Sequence, residues 1–402
     1  MRWPALAPQY AAEALGSVAG TLLSIGVSFF MKSRFGWEMP QIFLLTAGLG
    51  LVYVPGALSA GWFARCFGRR RVLCATYAAL ALLSLGAWKT ESASGIAVFL
   101  LAYTLVIGVS WPVLEGLIAS GESSGLAKRL ALYNVIWPAA GALAIAVEGT
   151  VIRFWIDGIF LLPAAMHLAS LALMAVSRDP THVQTDVAMP VAPLHAEPEL
   201  RKKRELALWL SRTALPATYT VIYGLMPIMP FLPVMKGLNT SGQTLAASVW
   251  LMARGAAFLI LGAGTWWHTR PRLLLWAAIL MLISFFGMTL RPTNGASFPI
   301  DLLSMILWQI VFGLALGMIY SASLYFGMVL SDGSTEHGGY HEALIGLGWV
   351  LGPAAGVAAE RLRPGELWAG IAAVGAVIAA SVVVVVIIAA VMGGRGKRPA
   401  EV

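Results

Sequence analysis

The strongest constraint on this chain is a series of twelve long apolar runs, each long enough to cross a lipid bilayer as a helix. Lipid offers the backbone no hydrogen-bond partner, so runs of this length must be helices that satisfy their own amide groups. Only 11% of the residues are charged, whereas a soluble domain carries about 25%. The sequence therefore predicts an all-α integral membrane protein with transmembrane helices at about 9–31, 40–64, 72–88, 95–120, 130–152, 155–177, 206–235, 243–267, 272–291, 299–330, 341–360 and 366–392.

One long polar segment, residues 178–205, separates two groups of six runs. It contains four prolines and ends in the basic run Arg201-Lys202-Lys203-Arg204. This composition is typical of a mobile linker, with a short surface helix at its end. We therefore expect an N-terminal six-helix bundle (1–177), a cytoplasmic linker (178–205) and a C-terminal six-helix bundle (206–402).

The basic residues collect on one side of the predicted membrane. With both termini in the cytoplasm, about seventeen Lys and Arg residues lie on that side and about eight on the other, as the positive-inside rule requires. The net charge of +8 is explained in this way, and no interleaving of basic and aromatic residues indicates nucleic-acid binding. The two cysteines, Cys66 and Cys74, cannot form a disulfide framework. We expect a multi-pass protein of a bacterial inner (plasma) membrane, whose first helix is retained rather than cleaved.

The loop between the second and third runs carries a recognisable pattern. From Gly61 it reads Gly-Trp-Phe-Ala-Arg-Cys-Phe-Gly-Arg-Arg-Arg, a glycine-bounded turn followed by Arg69, Arg70 and Arg71. It resembles the signature of the major facilitator superfamily (MFS): glycine, three residues, an acid, a base, any residue, glycine, then arginines. Gly61, Gly68 and the three arginines match. Arg65 stands where the family usually has an aspartate, and Cys66 where it usually has a base.

The resemblance implies two pseudo-symmetric six-helix halves around a midplane cavity, with a loop that helps to hold the outward-facing state. Because Arg65 replaces the usual acid, we expect Glu336 or Glu342 in the acidic loop after the tenth run to supply the missing negative charge. The alternative is that Arg65 is simply another topology-setting arginine.

Arg254 is unusual because it lies near the middle of the eighth run. An arginine at the bilayer centre is unfavourable by at least ~2.5 kcal/mol, so it normally faces a cavity or a partner. Its forked guanidinium suits a substrate carboxylate or phosphate. The competing interpretation is an interhelical ion pair with Glu115 or Glu148.

Acids also occur within apolar runs. Glu115 and Glu13 are candidates for proton coupling, because buried carboxyl groups of transporters commonly carry protons. The alternative for Glu13, Glu115 and Glu148 is that each acid only anchors its helix near the membrane interface.

The seventh run contains Tyr219 and Tyr223 on one helical face, followed by Pro227, Pro230 and Pro233. Prolines at this spacing predict a kinked or unwound end, and broken helices commonly border a substrate path. The tyrosines are therefore cavity candidates, with interhelical hydrogen bonding as the alternative. Weaker candidates on the same reasoning are Gln309, Tyr320, Asn134 and Trp137.

The segment Asp332–Glu342 places His337 and His341 among three acids. A helix would bring both histidines to one face, a spacing that zinc uses, but Gly338-Gly339 disfavours such a helix. We expect a polar gating loop that responds to cytoplasmic pH through histidine, and no metal site.

The chain lacks a phosphate-binding loop of the Walker type and any clustered nucleophile and base, so neither a nucleotide cofactor nor enzymatic chemistry is expected. The predicted function is secondary active transport of a small organic solute by alternating access, coupled to protons and slightly favouring an anion. Alternatives are a multidrug or metabolite efflux antiporter and, in a different class, a transporter-like membrane sensor or scaffold. We expect a monomer whose partners are the lipid bilayer, the solute and protons, not nucleic acid.

Overall fold

A computed structural model of the chain describes residues 6–120, 126–177, 198–290, 298–330 and 335–394. Every regular element within these ranges is a helix. The helices are α1 Ala7–Ser24, α2 Val27–Phe35, α3 Met39–Phe67, α4 Arg69–Trp88, α5 Ala93–Ala119, α6 Leu126–Phe154, α7 Gly158–Val176, α8 Pro198–Ile228, α9 Pro233–Lys236, α10 Thr240–Ala247, α11 Val249–Gly262, α12 Arg272–Thr289, α13 Phe298–Leu330, α14 Thr335–Leu362 and α15 Leu367–Gly394.

The twelve predicted spans are confirmed. Among the described residues, eleven helical segments are long and apolar enough to cross a membrane, with α10 and α11 counted together as Thr240–Gly262. The pair α1 and α2, bent by 43°, makes the twelfth. The sequence did not predict this bend, which falls at Ile25-Gly26.

The helix of the seventh span begins within the segment that the sequence analysis assigned to the linker. Helix α8 begins at Pro198, so the basic run from Arg201 to Arg204 belongs to the first turns of the seventh span. A transmembrane helix extends beyond the bilayer without losing its backbone hydrogen bonds, and a charged extension remains helical. Residues 178–197 lie outside the described ranges.

The proline-rich end of the seventh span is broken, as predicted. Helix α8 ends at Ile228, and a single 3-10 turn, Met229–Phe231, follows. The chain then leaves helical geometry at Leu232 before the four-residue helix α9. Each proline lacks the amide hydrogen that a continuing helix would need.

The segment around Gly338-Gly339 is helical, and the expectation of a loop across it is wrong. Helix α14 begins at Thr335 and includes both glycines. A Cβ at Gly339 would lie 2.8 Å from the Ala57 carbonyl oxygen, and one at Gly338 would lie 3.2 Å from Glu115 Oε2. Close packing against α3 and α5 therefore outweighs the low helix propensity of glycine.

The N-terminal half, α1–α7, and the C-terminal half, α8–α15, meet along two seams. In the first, α3 packs on α14 so closely that a Cβ at Gly50 would lie 2.8 Å from the Trp349 backbone. In the second, α6 packs on α10 and α11, and a Cβ at Gly149 would lie 2.4 Å from the Thr240 carbonyl oxygen. Small residues allow such close contact between membrane helices.

Polar contacts join the halves at both ends of the bundle. At the end that carries Arg69–Arg71, called the basic end, Arg69 Nε donates to Thr335 Oγ1 at 3.1 Å. At the opposite, far end, Lys32 Nζ donates to the Pro230 carbonyl oxygen at 2.6 Å. In the described structure, hydrogen bonds therefore join the two halves at both ends of the bundle.

Candidate functional site

A cavity lies between the two halves. Helices α1, α5 and α6 of the N-terminal half and α8, α11, α13 and α14 of the C-terminal half line it, and aromatic rings form much of its surface. The lining residues are Glu13, Ser17, Thr21, Ser24, Ile25, Trp111, Tyr133, Trp137, Tyr219, Ile222, Tyr223, Trp250, Arg254, Tyr320, Glu342 and Ile345.

Arg254 of α11 lines this cavity and is 1% exposed. Its Nη2 donates a hydrogen bond to the Tyr219 hydroxyl at 3.1 Å. Its Nε is buried and has no hydrogen-bond partner among the described residues. The guanidinium has five N–H donors, so most of its capacity remains for another molecule.

Four aromatic rings surround the Arg254 guanidinium. Its carbon lies 4.5 Å from the centre of the Trp137 ring and 4.8 Å from that of Tyr320. The rings of Tyr219 and Phe258 are 5.3 and 5.7 Å away. Trp137 belongs to the N-terminal half and the other three rings to the C-terminal half, so the enclosure depends on the contact between the halves.

The predicted alternative for Arg254, an ion pair with Glu115 or Glu148, does not occur. Glu115 Oε1 accepts a hydrogen bond from Tyr133 at 3.2 Å, and its Oε2 has no partner among the described residues. Both oxygens of Glu148 likewise lack one. Within the described ranges no carboxylate forms an ion pair with Arg254.

Three buried carboxyl groups cluster at the cavity. Glu13 of α1 and Glu342 of α14 line it, and Glu115 of α5 interacts with Glu342 without lining the cavity. They interact electrostatically with one another. No described ion pair neutralises any of them. Glu342 accepts a hydrogen bond from the Tyr53 hydroxyl of α3, so the cluster spans both halves.

The signature loop forms the tight turn that its short length predicts. Gly61 lies inside α3, and the connection between α3 and α4 is the single residue Gly68, whose φ is +82°. Arg69 reaches the first residue of α14, and Arg70 donates to the carbonyl oxygens of Met174 and Ala175 at the end of α7. Arg71 is exposed.

Glu342 does not supply a negative charge to Arg65, so this part of the sequence prediction is wrong. Glu342 is 4% exposed and is bonded to Tyr53. Arg65 is exposed and lies twelve residues beyond Tyr53 on the same helix, about 18 Å away at 1.5 Å per residue. The side chain of Glu336 lies outside the described part of the chain.

His341 is also not part of an exposed gating loop. It is 6% exposed, its Nδ1 lies 3.1 Å from Ser323 Oγ, and its ring packs edge-on against Tyr320. The side chain of His337 lies outside those that the structure describes. Among the described residues, no three His, Cys, Asp or Glu side chains converge as metal ligands would.

The structure brings together some of the predicted site residues and leaves others apart. Arg254, Tyr219, Tyr223, Tyr320, Trp137 and Glu13 line one cavity. Gln309 does not line it, and its Oε1 accepts from the Trp250 amide at 3.3 Å within the C-terminal half. Asn134 is buried but is not part of the lining. Glu148 is completely buried against Gly26, near the far end.

Sequence reasoning missed part of the cavity wall. Ser17, Thr21 and Ser24 follow Glu13 at spacings of three and four, and this polar stripe on an apolar run could have been recognised. No sequence signal distinguishes Trp111, Tyr133 or Trp250 from lipid-facing aromatic residues.

Two six-helix halves enclosing a polar cavity at membrane depth define the class of a multi-pass α-helical transport protein. The model of the Major Facilitator Superfamily matches residues 10–353. The chain belongs to this superfamily, and the fold inferred from the signature loop is confirmed.

Solved structures of the same fold include two of the nucleoside transporter NupG. One of them, a point mutant, has a TM-score of 0.68 at 12% identity, covering 96% of this chain and 98% of that one. The other NupG structure has a TM-score of 0.66 at 12% identity, covering 98% and 100%. A bacterial homologue of the human drug peptide transporters PepT1 and PepT2 has a TM-score of 0.68 at 12% identity, covering 97% and 98%. Comparison with curated protein sequences finds no significant match.

Proposed function

We propose that the protein is a secondary active transporter that moves a small organic solute with an anionic group by alternating access. The observation that carries this proposal is Arg254, a buried guanidinium that faces the cavity and forms no salt bridge with a described carboxylate, although Glu342 of the same cavity interacts with it electrostatically. The far and basic ends of the cavity open in turn as the two halves rock about it.

The energetics of Arg254 favour an anionic solute. Removing a guanidinium from water costs several kcal/mol, and a cation–π contact contributes roughly 0.5–2 kcal/mol. The surrounding rings and the single bond to Tyr219 therefore offset only part of the desolvation cost. A carboxylate or phosphate would accept two parallel hydrogen bonds from the guanidinium fork and neutralise its charge.

The first test is thermal unfolding of the detergent-purified protein with 3-phenylpropionate and, as a neutral control of similar shape, 3-phenylpropionamide. A ligand at 100 times its Kd should stabilise by ~2.7 kcal/mol. We expect the anion to raise Tm more than the amide, and Arg254→Gln to remove the difference. Arg153→Gln, which changes an exposed arginine at the far end of α6, should retain it. Equal shifts from acid and amide would contradict the proposal.

The acid cluster supports proton coupling. Glu115 and Glu342 belong to opposite halves and interact electrostatically, and two neighbouring carboxyl groups in a low-dielectric site resist simultaneous ionisation. In our proposal the pair holds a proton while the halves are closed and releases it when they separate. Tyr53 and Tyr133, which donate to these acids, position them.

Coupling is tested in proteoliposomes with labelled 3-phenylpropionate. We expect an imposed pH gradient to drive accumulation in the wild type. Glu115→Gln and Glu342→Gln should lose accumulation but retain exchange between labelled and unlabelled solute. Glu148→Gln, which removes an equally buried carboxyl group away from the cavity, serves as control. Undiminished gradient-driven accumulation by both Glu115→Gln and Glu342→Gln would refute the coupling.

A further inference from the structure

The cavity has a second polar pole, opposite in charge to Arg254. Glu13 of α1 is 1% exposed and lines the same cavity. Its Oε1 accepts a hydrogen bond from Ser17 Oγ at 2.8 Å. Its Oε2 is buried and has no hydrogen-bond partner among the described residues. One carboxylate oxygen therefore remains available to an N–H donor.

The surroundings of Glu13 favour a cation rather than a second anion. Glu342 lines the cavity with it and interacts with it electrostatically. Arg254 interacts electrostatically with Glu342 across the cavity, but no ion pair among the described side chains neutralises Glu13. A cationic group placed between them would relieve this repulsion, and hydroxyls of the α1 stripe, such as Ser17 and Thr21, add acceptors beside it.

The two poles lie on different halves of the protein and face one space. Glu13 belongs to α1 of the N-terminal half, and Arg254 belongs to α11 of the C-terminal half. The wall between them includes the aromatic side chains of Trp111, Tyr133 and Trp250. A solute that touches both poles would bridge the halves through its charged ends and bury an apolar body against the rings.

We propose that the solute is a zwitterion of the amino-acid type with an aromatic body, whose anionic group binds Arg254 and whose ammonium group binds Glu13. This inference rests on the proposed function, since it assigns the second half of the same solute. It also gives a role to a buried cation and a buried acid that line one cavity and form no salt bridge among the described residues. In a low-dielectric site a buried charge is costly unless it is paired and hydrogen-bonded.

A matched ligand series tests the inference by thermal unfolding of the purified full-length chain. L-Phenylalanine carries both charged groups, 3-phenylpropionate lacks the ammonium group, and phenethylamine lacks the carboxylate. We expect the wild type to bind phenylalanine at least about tenfold more tightly than either relative, because a hydrogen bond to a charged group contributes that factor. Glu13→Gln should abolish the advantage over 3-phenylpropionate, and Arg254→Gln the advantage over phenethylamine. Glu148→Gln, a buried carboxyl group outside the cavity, should change neither.

The outcomes separate this inference from the proposed function. If 3-phenylpropionate matches phenylalanine in the wild type, the zwitterion is refuted while the anionic solute stands. If phenethylamine matches phenylalanine and Arg254→Gln has no effect, the anionic solute is refuted as well. Stabilisation by none of the three compounds also refutes the zwitterion. If Glu13→Gln does not fold, the comparison of the three ligands with the wild type decides whether the solute is a zwitterion. Glu13→Asp, which keeps the charge, should retain a preference for phenylalanine.

Discussion

The Tyr53 hydroxyl of the N-terminal half donates a hydrogen bond to the Glu342 carboxylate of the C-terminal half. Both side chains are buried, with Tyr53 at 0% and Glu342 at 4% exposure. The Tyr53 ring also packs against Trp349, at 5.3 Å between ring centres. This contact joins the α3–α14 seam to the acid cluster, so opening the seam must change the surroundings of Glu342.

We predict that Tyr53→Phe destabilises the protein by about 1–3 kcal/mol, because it leaves a buried carboxylate without its donor. Thermal unfolding of the purified protein measures the change. The double variant Tyr53→Phe/Glu342→Gln should cost less than the sum of the single changes, since contacting residues are not additive. Full additivity would mean that the hydrogen bond contributes nothing.

Gly26 and Glu148 depend on each other at the bend between α1 and α2. A Cβ at Gly26 would lie 1.7 Å from Glu148 Oε2, so any side chain there collides with a buried carboxyl group. We predict that Gly26→Ala lowers stability by at least about 2 kcal/mol, as overpacking of a filled interior does. Expression level and unfolding temperature report the loss.

Removing the Glu148 carboxyl group with Glu148→Ala tests whether this collision causes the loss of stability. In the double variant Gly26→Ala/Glu148→Ala the new methyl group occupies space that the carboxyl group has left. We expect the double variant to be more stable than Gly26→Ala alone. A double variant no better than Gly26→Ala would show that the backbone at the bend, and not the carboxyl group, requires glycine.

Substitution of Gly50 should hold the two halves apart. Its Cβ would lie 2.8 Å from the Trp349 backbone of the opposite half, so Gly50→Val cannot keep the closed seam. The reporter is a cavity cysteine, Ile345→Cys, in a Cys66→Ser/Cys74→Ser background. Adding Gly50→Val to this background should make alkylation of the cysteine at least about tenfold faster, which corresponds to a shift of about 1.4 kcal/mol toward an open state. Gly16→Val in α1, where no atom lies within 4 Å of a new Cβ, should leave the rate unchanged.

Substitutions of Gly68 test the contribution of backbone conformation without a change in side-chain packing. Its φ of +82° lies in the left-handed region, and a Cβ there would contact nothing within 4 Å. Gly68→Ala should therefore cost about 1–3 kcal/mol purely through backbone strain. Its ψ of 141° lies outside the αL region that asparagine tolerates, so thermal unfolding should show a similar loss for Gly68→Asn. An unchanged Tm for either variant would contradict the explanation.

The parts of the fold that local chemistry controls could be predicted. Apolar runs of spanning length admit only helices, and prolines at 227, 230 and 233 break one at a predictable place. The loop around Gly68 carries enough of a family pattern to imply both halves. The helix across Gly338-Gly339 could not be predicted from propensity, because its stability comes from packing against α3 and α5.

The candidate site was predictable only one residue at a time. Arg254 and Glu13 are visible in the sequence because a charged residue is costly in an apolar run. Their partners are not, since Glu342 reads as part of a polar loop while the structure buries it beside Tyr53. The sequence also does not show that Tyr320 faces the cavity while Gln309 accepts a hydrogen bond from the Trp250 amide.

The amino-acid sequence is therefore enough to predict a twelve-span membrane protein of two halves with charges at membrane depth. Those properties follow from the solvent, because lipid demands internal hydrogen bonds and makes each intramembrane charge conspicuous. Which charges share a cavity and which, like Glu148, lie elsewhere became visible from the packing of the helices. Distance between side chains on different helices depends on that packing, which brings Arg254 and Glu13 from different halves to one cavity.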